Sequence, residues 1–368
     1  KDKKERGFAD FFPLYTKAFK ERIKIISTEE FLRREGGVNG RLPIRPEKRD
    51  LIEKSKVTCG TMKKFDNWCG NIFEHYSDVG YVPQLNPKKN CFIFDEDEYH
   101  GKKIQNQERL EYIEAFCDDR DKVYFNMTMQ DSNLIHFSSE KNYRLVTNFY
   151  YFLIFSDPIM DNYMKRFVRD FLHYHDSIYC AAGKIIQSVQ QDGLARGFEL
   201  DNEGGGAYSA LHVRRGDLQF KKVKISAEEW YENTKEIWEQ NEILYIATDE
   251  RNKTFFEPIA KHHTLKFLDD YWDLAGLGDM DPNYMGMIDT IVASRGRAFA
   301  GTYFSTFSGY INRLRGYYGM SMKDSYYSFL PKKNTMHKWE RSGSAFAKEF
   351  PAGWIGIDGD IWASHDRF

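Results

Sequence analysis

The second half of the chain carries the more regular pattern. From residue 210 onward, short apolar runs alternate with stretches whose apolar positions recur at three- and four-residue spacing. Apolar runs of this length, each followed by a helical pattern, read as repeated strand–helix units, which build a parallel sheet covered by helices on both faces. The expected strands are 210–213 (ALHV), 243–248 (ILYIAT), 264–268 (TLKFL) and 297–301 (RAFAG). The expected helices are 226–239, 251–262, 282–294 and 306–318. The first half is less periodic. Residues 8–35 read as helix-rich, with a short strand at the start of IKIISTEEFL, then a Ser27/Thr28 cap and a helix with Glu29 and Glu30 in its first turn. Residues 36–105 hold much of the Gly, Pro, Asn and Lys and predict loops and short elements. An aromatic-rich run, 142–158, ends at Pro158, and 159–190 predicts one long amphipathic helix. The Gly- and acid-rich segment 192–209 is the expected linker between two domains.

Composition narrows the classes. At 368 residues two domains are the default expectation. With 53 basic and 55 acidic residues the net charge is −2, which argues against nucleic acid as the main partner. No apolar run is long enough to span a bilayer, so membrane attachment is expected only through an N-terminal anchor outside this sequence. The five cysteines are scattered and include no C-x-x-C pair, which disfavours a zinc ribbon or a thioredoxin-like site. Cys59, Cys69 and Cys91 share one loop-rich stretch and are the expected source of a disulfide, with free buried thiols as the alternative. The sequons Asn126-Met127-Thr128 and Asn252-Lys253-Thr254 point weakly to the secretory pathway.

The chemistry gathers where the expected strands end. In SALHVRRGDLQF, side chains alternate faces, so His212 and Arg214 share one face of the strand and Leu211 and Val213 the other. Arg214, Arg215 and Gly216 then lie at its carboxyl end, where open parallel sheets bind ligands. Arginine is planar, permanently charged and able to donate two parallel hydrogen bonds to phosphate. The plainer reading is an ion pair of Arg with Asp217 and a satisfied core histidine; two arginines beside one aspartate leave a positive excess that favours an anion. In AGTYFSTFSGYINRLRG, a hydroxyl-rich turn leads from a strand into a helix. Ser305 and Thr306 sit at that helix N-terminus, where free N–H groups bind phosphate, an ordinary N-cap being the alternative. Asp249 ends a third strand at the same edge, placed either to accept from a ribose or base or to cap the next helix. Asp289 falls within a helix, facing cleft or solvent. Neither G-x-G-x-x-G nor a P-loop is present, and no His/Asp/Glu cluster has metal-ligand spacing. Arginines are therefore expected to neutralise a diphosphate in place of a metal.

Taken together, HVRRGD, YIATDE and ASRGRAFAGTYFSTFSGYINRLRG resemble the GDP-fucose-dependent fucosyltransferases, nearest to the protein O-fucosyltransferases and their plant- and alga-type relatives. FADFFPLYTKAF, FYYFLIFSDP and FVRDFLHYHDSIYCAA extend the likeness over roughly residues 8–35 and 142–330. The resemblance implies an α/β GT-B fold of two Rossmann-like domains facing across a cleft. Residues 1–191 would form the acceptor-side domain, 192–332 the GDP-sugar domain and 333–368 a tail without an assigned role. It also implies inverting, metal-independent transfer of fucose, with no cofactor beyond the donor GDP-fucose, to a protein or glycoprotein acceptor in the ER or Golgi lumen. By the same resemblance Arg214 holds the β-phosphate and is the catalytic residue, and His212 contacts the nucleotide. Arg215 and Asp217 match the H-x-R-R-x-D pattern shared with α1,6-fucosyltransferases; Ser305, Thr306 and Phe307 match the segment at diphosphate and nucleoside; Asp249 and Asp289 match acidic positions near the nucleoside. Transfer to Ser/Thr of a protein is the leading reading. The rivals are α1,6-type transfer to a glycan, another GT-B sugar-nucleotide transferase, and a binding protein without turnover. One departure favours the last: the family's opening G-G-x-x-N-x-R motif has no counterpart, and the nearest stretch, 34–48, follows the FADFF segment it should precede.

Overall fold

The computed structural model describes residues 10–21, 23–26, 30–31, 34, 89–132, 134–135, 153–157, 159–160, 164, 173–216, 224–302, 305–320, 324–328 and 336–338. They fall into two compact units, Thr16–Met164 and Lys1–Tyr15 with Lys165–Phe368. The smaller unit is built on three parallel strands, β1 (Asn90–Phe94), β2 (Asp121–Tyr124) and β3 (Leu153–Phe155), in the order β2-β1-β3. Helix α1 (Gln107–Cys117) links β1 to β2, its N-terminus capped by Asn106, which accepts from the Arg109 N–H. The alternation of NCFIF explains the strand: Cys91 and Ile93 pack with Ile113, Cys117 and Ile154 on one face, and Phe92 packs with Met129 on the other. The disulfide joins Cys91 to Cys117, tying β1 to the end of α1. This corrects the expectation that Cys91 pairs within the 59–91 stretch; Cys59 and Cys69 lie outside the described residues.

The larger unit holds a six-stranded sheet of β4 (Ser209–Val213), β5 (Ile243–Thr248), β6 (Thr264–Phe267), β7 (Phe299–Thr302), β8 (Ser325–Ser328) and β9 (Met336–Lys338). The spatial order is β6-β5-β4-β7-β8-β9, with only β9 antiparallel. Counted from β4, this is the 3-2-1-4-5-6 order of doubly wound dinucleotide folds, with the chain reversing direction between β4 and β7. Helices α2 (Asp176–Leu194), α4 (Met285–Ser294) and α5 (Thr306–Tyr317) cover the face that carries Ala210, Tyr245 and Phe299. Trp230 of α3 (Ala227–Thr234), with Phe256 and Ile259, covers the face that carries Leu211, Leu244 and Ala300. All four sheet strands expected from the alternation are present, within two residues of their expected ends.

The differences have local causes. The segment 251–262 folds as a 3-10 turn (Lys253–Phe256) and a single α-turn (Glu257–Ala260), with Pro258 at the helix start. The expected helix over 159–190 is interrupted: residues 159–160 and 164 are helical, 173–175 are not, and the long helix starts at Asp176, with 161–163 and 165–172 outside the described residues. Residues 23–26 form no strand, and Ile23 is largely exposed. The expected linker 192–209 is instead built into the larger unit: Gly206, Ala207 and Tyr208 are buried, and the Tyr208 hydroxyl donates to the Val292 carbonyl at 2.6 Å. The division between units therefore falls ahead of the expected 191/192 boundary, because α2 packs on α4 in the larger unit. The segment 333–368, expected as a tail, contributes β9 to the sheet.

One buried charge fastens this sheet. Arg315 of α5 is fully buried, and burial pushes its guanidinium down to about 10. It donates to the carbonyls of Ser294, Gly296 and Arg297 and to the Ser325 hydroxyl of β8. The carbonyls close the turn after α4, and Ser294, Gly296 and Ser325 are buried, so removing the donor orphans acceptors inside the core. Arg315→Met is expected to lower stability by at least ~3 kcal/mol, read from the urea midpoint of the larger unit's transition. An unchanged midpoint would refute the fastening role.

Candidate functional site

The switch point between β4 and β7 places their carboxyl ends side by side, and it is there that the ligand crevice of such sheets lies. Thr302 staples the two strands. Its hydroxyl donates to the His212 carbonyl at 3.1 Å and accepts from the Arg214 N–H at 2.9 Å. The loop that leaves β4 is held by one carboxylate. Asp249, just past β5, accepts from the Arg215 N–H at 2.7 Å through Oδ1 and from the Gly216 N–H at 2.8 Å through Oδ2. Arg214 Nη1 meets the same Oδ2 at 2.9 Å. Gly216 leaves room for this contact: a Cβ at this position would lie 2.3 Å from Asp249 Oδ2 and would push the clamping carboxylate aside. The structure gives Asp249 a task that the sequence did not suggest and assigns the expected capping to another residue. Asp249 clamps the arginine loop, while the next helical turn is capped by Asn252.

The two arginines separate. Arg215 Nε pairs with Glu250 at 2.9 Å, its Nη1 reaches the Ile225 carbonyl, and its guanidinium lies 4.0 Å over the Phe255 ring. Its charge is spent on neighbours. Arg214 makes one ion pair, and the rest of its five-donor fork is left to meet an anion; both arginine side chains are 30% exposed, so the difference lies in their partners. Asp217, the partner of the plainer reading, lies outside the described residues.

His212 is buried on the α4/α5 face. Its Nδ1 lies 2.7 Å from the Ser308 hydroxyl, and its ring stacks on Phe307 with centroids 4.5 Å apart. Burial pushes its pKa down to about 3, with Arg214 adding to the shift and Asp249 opposing it, so the ring is neutral at physiological pH. Ser305 stands at the N-cap position of α5, but its side chain accepts no bond from the first helical turn. The N-cap that was the alternative reading is therefore absent, and the N-terminal N–H groups of a twelve-residue helix lack the side-chain partner that would compete with an anion. Thr306 is exposed beside it. The structure thus brings His212, Arg214, Ser305, Thr306 and Phe307 to one sheet edge.

Asp289 is engaged by the core. It is buried in α4 and accepts from the Tyr245 hydroxyl of β5 at 2.6 Å, and burial pushes its pKa up to about 7. Sequence reasoning missed Glu250, Phe255 and Ser308 because each acts on a candidate residue distant in sequence. Glu250 was visible beside Asp249 in YIATDE, whereas the Ser308 contact with His212 spans 96 positions. Among the described residues no three His, Cys, Asp or Glu side chains are grouped to hold a metal ion, and no helix is long and apolar enough to cross a membrane.

The Asp289 shift has a stability consequence. A carboxyl raised from 3.8 to about 7 keeps its proton in the folded state after the unfolded state has lost it. Its stabilising contribution is complete below about pH 4 and is lost as pH rises through about 7. Asp289→Asn keeps the acceptor for Tyr245 and cannot titrate. Its urea midpoint is expected to gain on the wild type steadily from about pH 4 to about pH 7; parallel pH profiles would refute the assignment.

Comparison with known proteins bears on what this edge holds. Residues 1–318 match the family described as GDP-fucose protein O-fucosyltransferase. No curated protein matches the chain. Among solved structures, an arginine-to-lysine mutant of Arabidopsis thaliana FUT1 in complex with GDP aligns with 80% of this chain and 82% of that one, at 8% identity and a TM-score of 0.30. A score that low carries no argument about fold or site; the strand order and side-chain geometry carry both. The matched span takes in β4 to β7 and all of α5, so every described residue of the crevice lies inside it. The chain belongs to the GDP-fucose protein O-fucosyltransferase family and, on that membership, is a GDP-fucose-dependent fucosyltransferase.

Proposed function

We propose that the larger unit binds GDP-fucose at the β4/β7 edge and that the chain transfers fucose, with inversion and without a metal ion, to an acceptor hydroxyl. The observation that carries this reading is the pairing of a clamped Arg214 with an uncapped α5 N-terminus at the switch point. Fucosyl transfer develops positive charge at the sugar ring and negative charge on the departing GDP. A guanidinium and backbone N–H groups fixed in advance stabilise that departing charge more than they stabilise the bound donor. Arg214 takes the β-phosphate, and the 305–307 turn takes the rest of the diphosphate. Phe307, stacked on neutral His212, offers an aromatic surface for the nucleoside. Arg215 acts as a positioning residue, because Glu250 and Phe255 already hold its side chain.

In this reading the chain is a GT-B enzyme, with the donor on the larger unit and the acceptor served by the smaller one. The family's description supports a Ser/Thr hydroxyl of a protein as acceptor, while the H-x-R-R-x-D spelling supports a hydroxyl of a glycan. A secretory lumen suits the Cys91–Cys117 disulfide, which a reducing compartment would not maintain. The stretch 35–48, nearest to the family's Gly-rich motif, lies outside the described residues.

The test is a transfer assay with GDP-fucose, GDP-mannose, UDP-galactose and UDP-glucose, run in EDTA, with the product anomer read by NMR. The expected outcome is transfer from GDP-fucose alone, undiminished by EDTA, with the configuration inverted. A uridine donor that works, or activity that EDTA abolishes, would contradict the reading.

A further inference from the structure

The smaller unit carries a cavity of about 600 Å³ at the carboxyl ends of its own three strands, within the usual size of ligand pockets. Its walls are of two kinds. Phe94 and Phe155 end adjacent strands and stack at 4.8 Å, Phe125 follows β2, and Tyr99 stacks on Phe125 at 5.8 Å. Against these rings stand Glu96, Glu108 and Asp157, all exposed, with Asn106 beside them. The floor is Asp95, buried directly after β1. It accepts from the backbone N–H groups of Asp97 and Glu98, from the Ser156 hydroxyl and from Arg109. Burial works to raise the Asp95 carboxyl, and these donors together hold it below its ordinary value. Arg109 also pairs with Asp97 at 3.0 Å, so two carboxylates neutralise the one cation in the lining, while its buried Nε has no hydrogen-bond partner.

We propose that this cavity is a saccharide-binding site whose occupant is an uncharged oligosaccharide, and that the acceptor of the reaction is consequently a glycan. The choice of occupant rests on the transferase reading; the site itself does not. Flat aromatic faces bury the apolar C–H face of a sugar ring, while carboxylate and amide oxygens accept from its hydroxyls. Glu96, Glu108 and Asp157 supply acceptors on three separate segments, as a ring with hydroxyls on several sides requires. The same carboxylates repel phosphate, sialic acid and uronic acid, because with Asp95 and Asp97 they outnumber the lining's one guanidinium, which already faces two of them. A peptide that adds as a strand is read through a main-chain ladder; this lining presents side-chain rings and carboxylates instead. Ile159 and Met160 remain 72% and 45% exposed at the rim, apolar surface that an occupant would cover.

The test uses the full chain with four probes measured by calorimetry and saturation-transfer NMR: neutral oligosaccharides of xylose, galactose, glucose and N-acetylglucosamine; their sialylated forms; unglycosylated Ser/Thr peptides; and GDP. At least one neutral oligosaccharide should bind. Tyr99→Ala should weaken it about tenfold or more, and Glu108→Gln, a change at an exposed position, by several-fold. Both variants should bind GDP as the wild type does, which shows that they are folded. Saccharide binding without GDP binding would support the cavity and sink the donor assignment. Conversely, the proposal is overturned by a protein that binds GDP and no saccharide, by saccharide binding indifferent to both substitutions, or by cavity-dependent binding of peptides or sialylated glycans.

Discussion

The larger unit's site depends on one carboxylate. Asp249 accepts two backbone N–H groups and one guanidinium, and this fixes the loop leaving β4 before any ligand arrives. Without that clamp, Arg214 would follow a mobile turn, and fixing it would cost entropy at the moment of binding. Thr302 secures the same loop from the β7 side. An arginine aimed from two directions is a preorganised donor, and preorganisation is what makes such a group effective against charge that develops during reaction.

The smaller unit solves a similar problem in the same way. Asp95 follows β1 as Asp249 follows β5, and each accepts two backbone N–H groups and one arginine. The outcomes differ in what is left over. In the larger unit the arginine remains partly exposed beside an uncapped helix start, so the edge is positive and suits an anion. In the smaller unit the arginine is neutralised and the rim carboxylates dominate, so the edge is acidic and suits a polyol.

Much of the larger unit was legible because parallel strands buried on both faces read as apolar runs, and ALHV and ILYIAT fall where the strands do. The arginines were legible because charge at the end of a buried strand needs a reason. The clamp was not, because the Asp249 bonds to Arg215 and Gly216 span 34 and 33 positions, and spacing along the chain carries no trace of them. The segment 192–209 was misread for the opposite cause. Glycine and acid resemble a linker, yet Asp201 holds the turn by accepting from Glu203 and Gly205, and Tyr208 anchors the segment in the core. The aromatic cavity was hidden because Phe94 and Phe155 end two strands and Phe125 follows a third, and only tertiary structure aligns them.

The central claim is that Arg214, held by Asp249, marks the β4/β7 edge as a diphosphate site, and the direct measurement compares GDP with guanosine. Titrated calorimetrically into the wild type, GDP should bind far more tightly than guanosine, and Arg214→Ala should remove most of that difference while leaving guanosine affinity unchanged. If Arg214→Ala keeps the full preference for GDP over guanosine, the diphosphate is held elsewhere and the account fails.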